Sequence, residues 1–180
     1  MEIEDRELVE RVLAGQTENF RELVDRHQQP IFRFAKGFLG NREDAQDVTQ
    51  EALVAAFSNL SGYDSSRAAF STWLFTIVRN RCINLLKQSR PIALKELDSI
   101  ADVPSADQIA SREFSQQLDR ALAALPVEQR SAFVLAEIEE LPYAEIARIE
   151  RTSLGTVKSR IHRAKQRLQS LLKSAMRESK

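Results

Sequence analysis

Apolar residues recur along this chain at three- and four-residue intervals, the spacing of one face of an α-helix, with few of the alternations that mark a strand. In the first half the pattern predicts four helices. One covers about residues 5–14 and ends at Gly15. A second covers about 18–38, with Phe20, Leu23, Val24, Ile31, Phe32, Ala35 and Phe38 on its apolar side and a stop at Gly40. Pro30 inside it predicts a kink or a break. The third begins at Asn41, a good N-cap with Asp44 three residues on, and runs through DAQDVTQEALVAAFSNL. SGYDSSRAA is a loop, and the fourth helix opens at Ser71 and continues through TWLFTIVRNRCINLLKQSR.

The periodicity lapses over PIALKELDSIADVPSADQIAS, about residues 91–111, where Pro91, Pro104 and scattered Asp and Ser predict a linker, with room for a short helical turn within it. Beyond it, helices are predicted at about 112–124, 127–140, 143–150 and 154–173, with Pro126 and Pro142 in first-turn positions that tolerate proline. The expected fold is therefore all-α: two small helical domains, residues 1–90 and 112–180, joined by the linker, the second containing a helix-turn-helix.

Composition narrows the class. With 43% hydrophobic and 29% charged residues, the chain is globular and not disordered. Its acidic, amphipathic N-terminus is neither a secretory signal nor a basic transit peptide. No apolar run approaches the roughly 20 residues that cross a bilayer, so no membrane association is expected and the chain reads as cytosolic. Cys82 is alone and lies in a helical pattern, which suits a small buried thiol. One Cys and the distant His27 and His162 do not make a metal site.

The zero net charge conceals segregation. Residues 1–60 are acid-rich, 61–91 are basic, and 92–150 are acidic again. From Arg151 onward nine cations face the single acid Glu178. Residues 142–172, PYAEIARIERTSLGTVKSRIHRAKQRLQSLL, read as a short amphipathic helix, a polar break and a longer basic helix, an arrangement that fits a DNA major groove. Val157, Ile161, Ala164, Leu168 and Leu171 form its buried stripe, so Thr156, Lys158, Ser159, Arg160, Arg163 and Lys165 project outward near its start. The plainer alternative is a solvated basic face on a bundle.

The fourth helix follows a related logic. Arg79, Asn80, Arg81, Asn84, Lys87 and Arg90 point outward beside a loop holding Tyr63 and Phe70, a face able to track a strand backbone and accept an unstacked base. Phe70 and Trp73, at i and i+3, also read as core; Tyr63 reads as exposed, and Phe75 fits either. The acidic third helix, with Asp44, Asp47, Gln50 and Glu51, would repel nucleic acid and suits a basic protein partner, unless it is an ordinary solvated face. No Gly-rich phosphate loop, nucleophile with a His partner or spaced ligand set is present, so no enzyme and no cofactor are expected.

These segments together are similar to a known family. EDAQDVTQEALVAAF, FSTWLFTIVRNRCINLL, LPVEQRSAFVLAEIEELPYAEIARI and SLGTVKSRIHRAKQRL, in this order over about residues 8–175, resemble bacterial sigma factors of the extracytoplasmic-function group. The resemblance implies a non-enzymatic promoter-selecting subunit of RNA polymerase. It implies that Asp44, Asp47, Gln50 and Glu51 dock on the coiled coil of the polymerase's largest subunit. Tyr63 to Phe70, with Arg79, Asn80, Asn84 and Lys87, would recognise and help open the downstream promoter element; Thr156, Lys158, Ser159, Arg160 and Arg163 would read the upstream one. Promoter DNA and core polymerase are the implied partners, and an anti-sigma factor is a candidate that no residue here identifies. No added C-terminal regulatory domain is expected. Two departures stand out: Arg151 and Thr152 where the family's turn carries a glycine and an apolar residue, and Glu150 where leucine is common, which leaves the shape of the turn open. A stand-alone helix-turn-helix regulator would also explain residues 142–172, but leaves the basic helix 72–90 without a purpose.

Overall fold

A computed structural model describes residues 3–88 and 106–178, and among these all regular structure is helical. The N-terminal module holds α1 (Asp5–Leu13), α2 (Phe20–Leu39), α3 (Arg42–Ser58) and α4 (Phe70–Gln88). The C-terminal module holds α5 (Ala106–Ala123), α6 (Val127–Phe133), α7 (Tyr143–Glu150) and α8 (Leu154–Glu178). Residues 91–105 of the expected linker, and Arg90 before them, lie outside the described residues. Residues 106–111, read as linker, instead begin α5: their scattered polar residues hid a helical start.

Helix α2 organises the first module. Phe20, Leu23, Ile31, Phe34, Ala35 and Phe38 are buried, and the helix runs unbroken through Pro30. Proline removes one rung of the hydrogen-bond ladder, but burial of Leu23 before it and of Ile31 and Phe34 after it holds both halves in place. Phe34 is fully buried although the apolar pattern passed over it, while Val24 and Phe32 are only partly covered. The chain leaves α2 through Gly40 in the left-handed region (φ 76°), which glycine adopts without a Cβ penalty. Asn41 then caps α3, its Oδ1 accepting the N–H groups of Glu43 at 2.8 Å and Asp44 at 3.4 Å.

In the second module, Pro126 and Pro142 occupy the N-cap positions of α6 and α7 rather than their first turns. The expected helix 127–140 ends differently from its pattern. Its last stretch, Val134–Ile138, widens into a π-turn closed by Glu139 N–H to Val134 O at 3.1 Å, and Glu140 turns left-handed at φ 53°.

The helix-turn-helix joint keeps its shape without glycine. Arg151 itself takes the left-handed conformation (φ 50°, ψ 50°), and Thr152 N–H reaches back to Ala147 O at 3.0 Å to close the end of α7. An L-residue there costs about 1–2 kcal/mol. Ser153 offsets part of this by capping α8, its Oγ accepting the Thr156 N–H at 3.1 Å.

The modules pack on each other, α4 against α7 and α2 against α5 and the π-turn. Gly37 permits the approach: a Cβ there would meet Val134 Cγ1 at 3.2 Å and Ile138 Cδ1 at 3.4 Å. Arg130, almost fully buried, donates to Phe38 O of the first module at 2.7 Å and to Ala123 O and Leu125 O of its own.

Candidate nucleic-acid interface

The predicted stripe of α8 is in place, with Val157, Ile161, Ala164 and Leu168 buried and Leu171 partly so. The five candidate residues on its outer side are not equivalent. Lys158 and Arg163 are exposed and have no carboxylate partner among the described residues. Thr156 and Ser159 are half-buried: the Thr156 hydroxyl lies 2.9 Å from Ser153 Oγ in the cap, and Ser159 Oγ donates to Thr156 O at 2.9 Å. Arg160 turns inward, Nη1 donating at 2.6 Å to Oε2 of Glu150. Lys165 is held by Glu137 at 2.8 Å.

In the first module Asn80, Asn84 and Lys87 are exposed at i, i+4 and i+7, one polar stripe along α4. Arg79 is not part of that open stripe. Its side chain is only 13% exposed, its Nε donates to Ser131 Oγ at 3.1 Å, and Glu150 Oε1 lies 3.6 Å away. Arg81 pairs with Glu51.

The aromatic candidates form a cluster. Tyr63 meets Phe70 edge-on at 5.6 Å and Trp73 at 5.3 Å, and its hydroxyl donates to Ala68 O at 3.0 Å. Tyr63, expected to be exposed, is partly covered, and burial pushes its phenol pKa up. Phe70 is 2% exposed, so in this packing it is core and cannot reach a base; its spacing with Trp73 allowed that reading. Phe75 is buried as well. Trp73, read only as core, is partly exposed at the end of the α4 stripe. The adjoining loop is shaped by Asp64, which accepts the Ser66 N–H and hydroxyl; these bonds hold its carboxyl below the usual range.

On α3, Asp47, Gln50 and Glu51 are exposed and Asp44 is half-buried. Asp44, Asp47 and Glu51 share a cleft of about 280 Å³ with Arg81, Asn84 and Gln88, so the acidic face adjoins the α4 stripe. Further along, Val54 and Phe57 are 67% and 44% exposed and line an open apolar groove with Phe20, Val24 and Leu53. The sequence pointed to a partner surface on α3 through its acidic residues alone, and these two apolar residues beside them were missed. Cys82 is buried, which raises its thiol pKa to about 12. No His, Cys, Asp and Glu group among the described residues could hold a metal ion.

Two helical modules, one with an exposed polar stripe and one with a basic helix-turn-helix, define a two-part DNA-binding protein. Comparison with known proteins places it further. Residues 23–91 match the model of sigma-70 region 2, and residues 115–168 match that of sigma-70 region 4. The chain is 31% identical to the ECF RNA polymerase sigma factor SigW of Bacillus subtilis, over 96% of this chain and 99% of that protein. It is 36% identical to SigM of Mycobacterium tuberculosis, over 93% and 84% of the two chains. Among solved structures it is similar to CnrH in complex with the cytosolic domain of CnrY, with TM-score 0.76 and 28% identity over 94% of this chain and 97% of that one. It is similar too to the sigma factor RpoE in complex with the anti-sigma factor NepR from Bartonella quintana, with TM-score 0.70 and 26% identity over 87% and 98%. The chain belongs to the extracytoplasmic-function sigma factors of the sigma-70 family. It is accordingly a promoter-specificity subunit, a partner of core RNA polymerase and of promoter DNA. The region 2 match covers the basic helix for which a stand-alone regulator has no use.

Proposed function

We propose that the chain docks on core polymerase, through the coiled coil of its largest subunit, by the outer face of α3, and that α4 and α8 read two elements of one promoter. Asp44, Asp47, Gln50 and Glu51 steer the docking, because acids at a rim favour a basic partner. Val54 and Phe57 extend that face with apolar surface to bury. The downstream element is tracked by Asn80, Asn84 and Lys87, with Trp73 and Tyr63 at the end of the stripe where an unstacked base can rest. The upstream element is read by Lys158 and Arg163 in the major groove, with Thr156 and Ser159 beside them. Capture of unpaired bases drives opening, and the chain itself hydrolyses nothing. It acts in the cytoplasm; no helix among the described residues is long and apolar enough to cross a membrane.

The observation that carries this reading is the exposure of both stripes, Asn80–Asn84–Lys87 and Lys158–Arg163, on modules that match two different sigma regions. Each module alone binds weakly, and their linkage supplies effective concentration. An anti-sigma partner fits the company of the structural relatives, RpoE having been solved with the anti-sigma factor NepR. The test is reconstitution with core polymerase and mapping of RNA start sites. Site-selective initiation dependent on this subunit is expected; initiation no different from core polymerase alone overturns the proposal.

A further inference from the structure

The turn of the helix-turn-helix requires a left-handed residue, but not an arginine. Glycine takes that conformation without a Cβ penalty, and an L-residue does not. Arg151 nonetheless occupies it, at φ 50° and ψ 50°. Its side chain returns nothing to the fold by contact: it is exposed and has no ion pair or side-chain hydrogen bond among the described residues. A cation also favours the C-terminal end of a helix, here α7, but on an open surface that gain is smaller than the cost of the left-handed backbone. Strained residues of this kind cluster at ligand-binding sites.

The surface around Arg151 is cationic. Between Glu145 and Glu178 the chain carries a single acid, Glu150. The Glu150 side chain is fully buried and its Oε2 accepts from Arg160, so it presents no negative charge to solvent. Over the same stretch Arg148, Arg151, Lys158 and Arg163 are exposed and have no carboxylate partner among the described residues. Ser153, Leu154 and Gly155, which lead from the turn into α8, are exposed too. A Cβ on Gly155 would meet nothing nearer than Ser153 Oγ at 3.9 Å, which leaves that end of α8 bare. A recognition helix enters the major groove with its N-terminal residues toward the bases. Residues just before it therefore come to the edge of the groove, where the phosphates lie.

We infer that Arg151 binds a backbone phosphate at the edge of the upstream element and so fixes the depth at which Lys158 and Arg163 meet the bases. The inference rests on the proposed reading of that element by α8. Arg151 is a positioning residue: it adds affinity and register and carries no sequence preference. The turn gives up stability for an anchor that glycine cannot supply.

Three substitutions separate the charge from the backbone. Arg151→Gln and Arg151→Lys keep an L-residue in the left-handed turn, and Arg151→Gly relieves it. Each full chain is assembled with core polymerase on promoter DNA. Protection of the upstream element is then titrated between roughly 50 and 200 mM salt, a range over which each phosphate contact changes affinity about threefold.

The free Arg151→Gly chain is expected to melt at a higher temperature than the wild type. In the polymerase complex it and Arg151→Gln are expected to bind more weakly whatever the upstream sequence, with a log–log salt slope smaller by about one. Arg151→Lys is expected to keep the wild-type slope. An unchanged slope in Arg151→Gln overturns the inference, as does a lower melting temperature in Arg151→Gly. Weaker co-purification of Arg151→Gln with core polymerase in the absence of DNA would assign the residue to a protein contact and overturn it as well. If the wild type itself leaves the upstream element unprotected, the reading of α8 has failed and the inference falls with it.

Discussion

Replacing Arg130 with methionine tests what joins the corner of the second module to the first. The guanidinium donates to Phe38 O at 2.7 Å, Ala123 O at 2.6 Å and Leu125 O at 3.2 Å, and sits 5.8 Å from the centre of the Phe38 ring. Methionine keeps the apolar stem and removes all three donors. The bonds to Phe38 O and Leu125 O are buried, and a stranded buried acceptor costs about 1–3 kcal/mol. Ala123 O lies nearer the surface and can take water. Against this loss, the cation no longer has to be desolvated, the effect that lowers the Arg130 pKa. The net expectation is destabilisation of about 2–4 kcal/mol. For a unit of this size that is a fall in melting temperature of roughly 5–15 °C. Urea unfolding followed by circular dichroism measures it, and the midpoint should move with the slope unchanged. Arg130→Lys should fall between, because one ammonium cannot span the fork. A midpoint unchanged within about 0.5 kcal/mol, or raised, would mean that burying the cation costs as much as its bonds return.

Three further outcomes are expected. Arg163→Ala should weaken upstream-element binding of the polymerase complex by about 1–3 kcal/mol, seen in footprint titrations, with the fold intact because the side chain is exposed; an unchanged footprint removes Arg163 from the reading surface. Asp47→Lys should reduce co-purification with core polymerase while sparing the melting temperature, and normal co-purification removes Asp47 from the docking face. Asp5 bonds to His27 at 2.6 Å and to Arg26 at 3.0 Å, and these partners hold its carboxyl below the ordinary range. A lowered folded pKa contributes stability above the unfolded value of about 3.9 and loses it as pH falls through the folded one. Urea midpoints should therefore drop in the acid range more steeply for the wild type than for Asp5→Asn; parallel curves would refute the coupling.

The helices were legible in the sequence because burial on one face imposes a spacing, and the α8 stripe and the Asn41 cap follow from local rules alone. The π-turn was not, since the nearly continuous apolar run Ala132–Ala136 hides the one-residue phase shift that such a turn introduces. Arg151 shows the opposite limit: residue identity argued against a left-handed turn, but closure of α7 and the Ser153 cap hold it there. Helical phase pointed Arg79 and Arg160 outward, but the structure turns both onto Glu150, which local phase could not show. That contact joins residues 71 and 10 positions apart in sequence, 150 − 79 and 160 − 150, and depends on how two modules meet. It also makes Arg160→Ala a poor probe of DNA reading, because it strands a buried acid.

When polymerase holds the chain, the α4 and α8 stripes should address one promoter together. Photo-crosslinkers placed at Asn84 and at Arg163 in the assembled polymerase complex measure this directly. Two separate crosslink clusters on the same promoter, the one from Arg163 upstream of the one from Asn84, are expected. A complex that initiates at a defined site while neither position crosslinks to DNA would contradict the account.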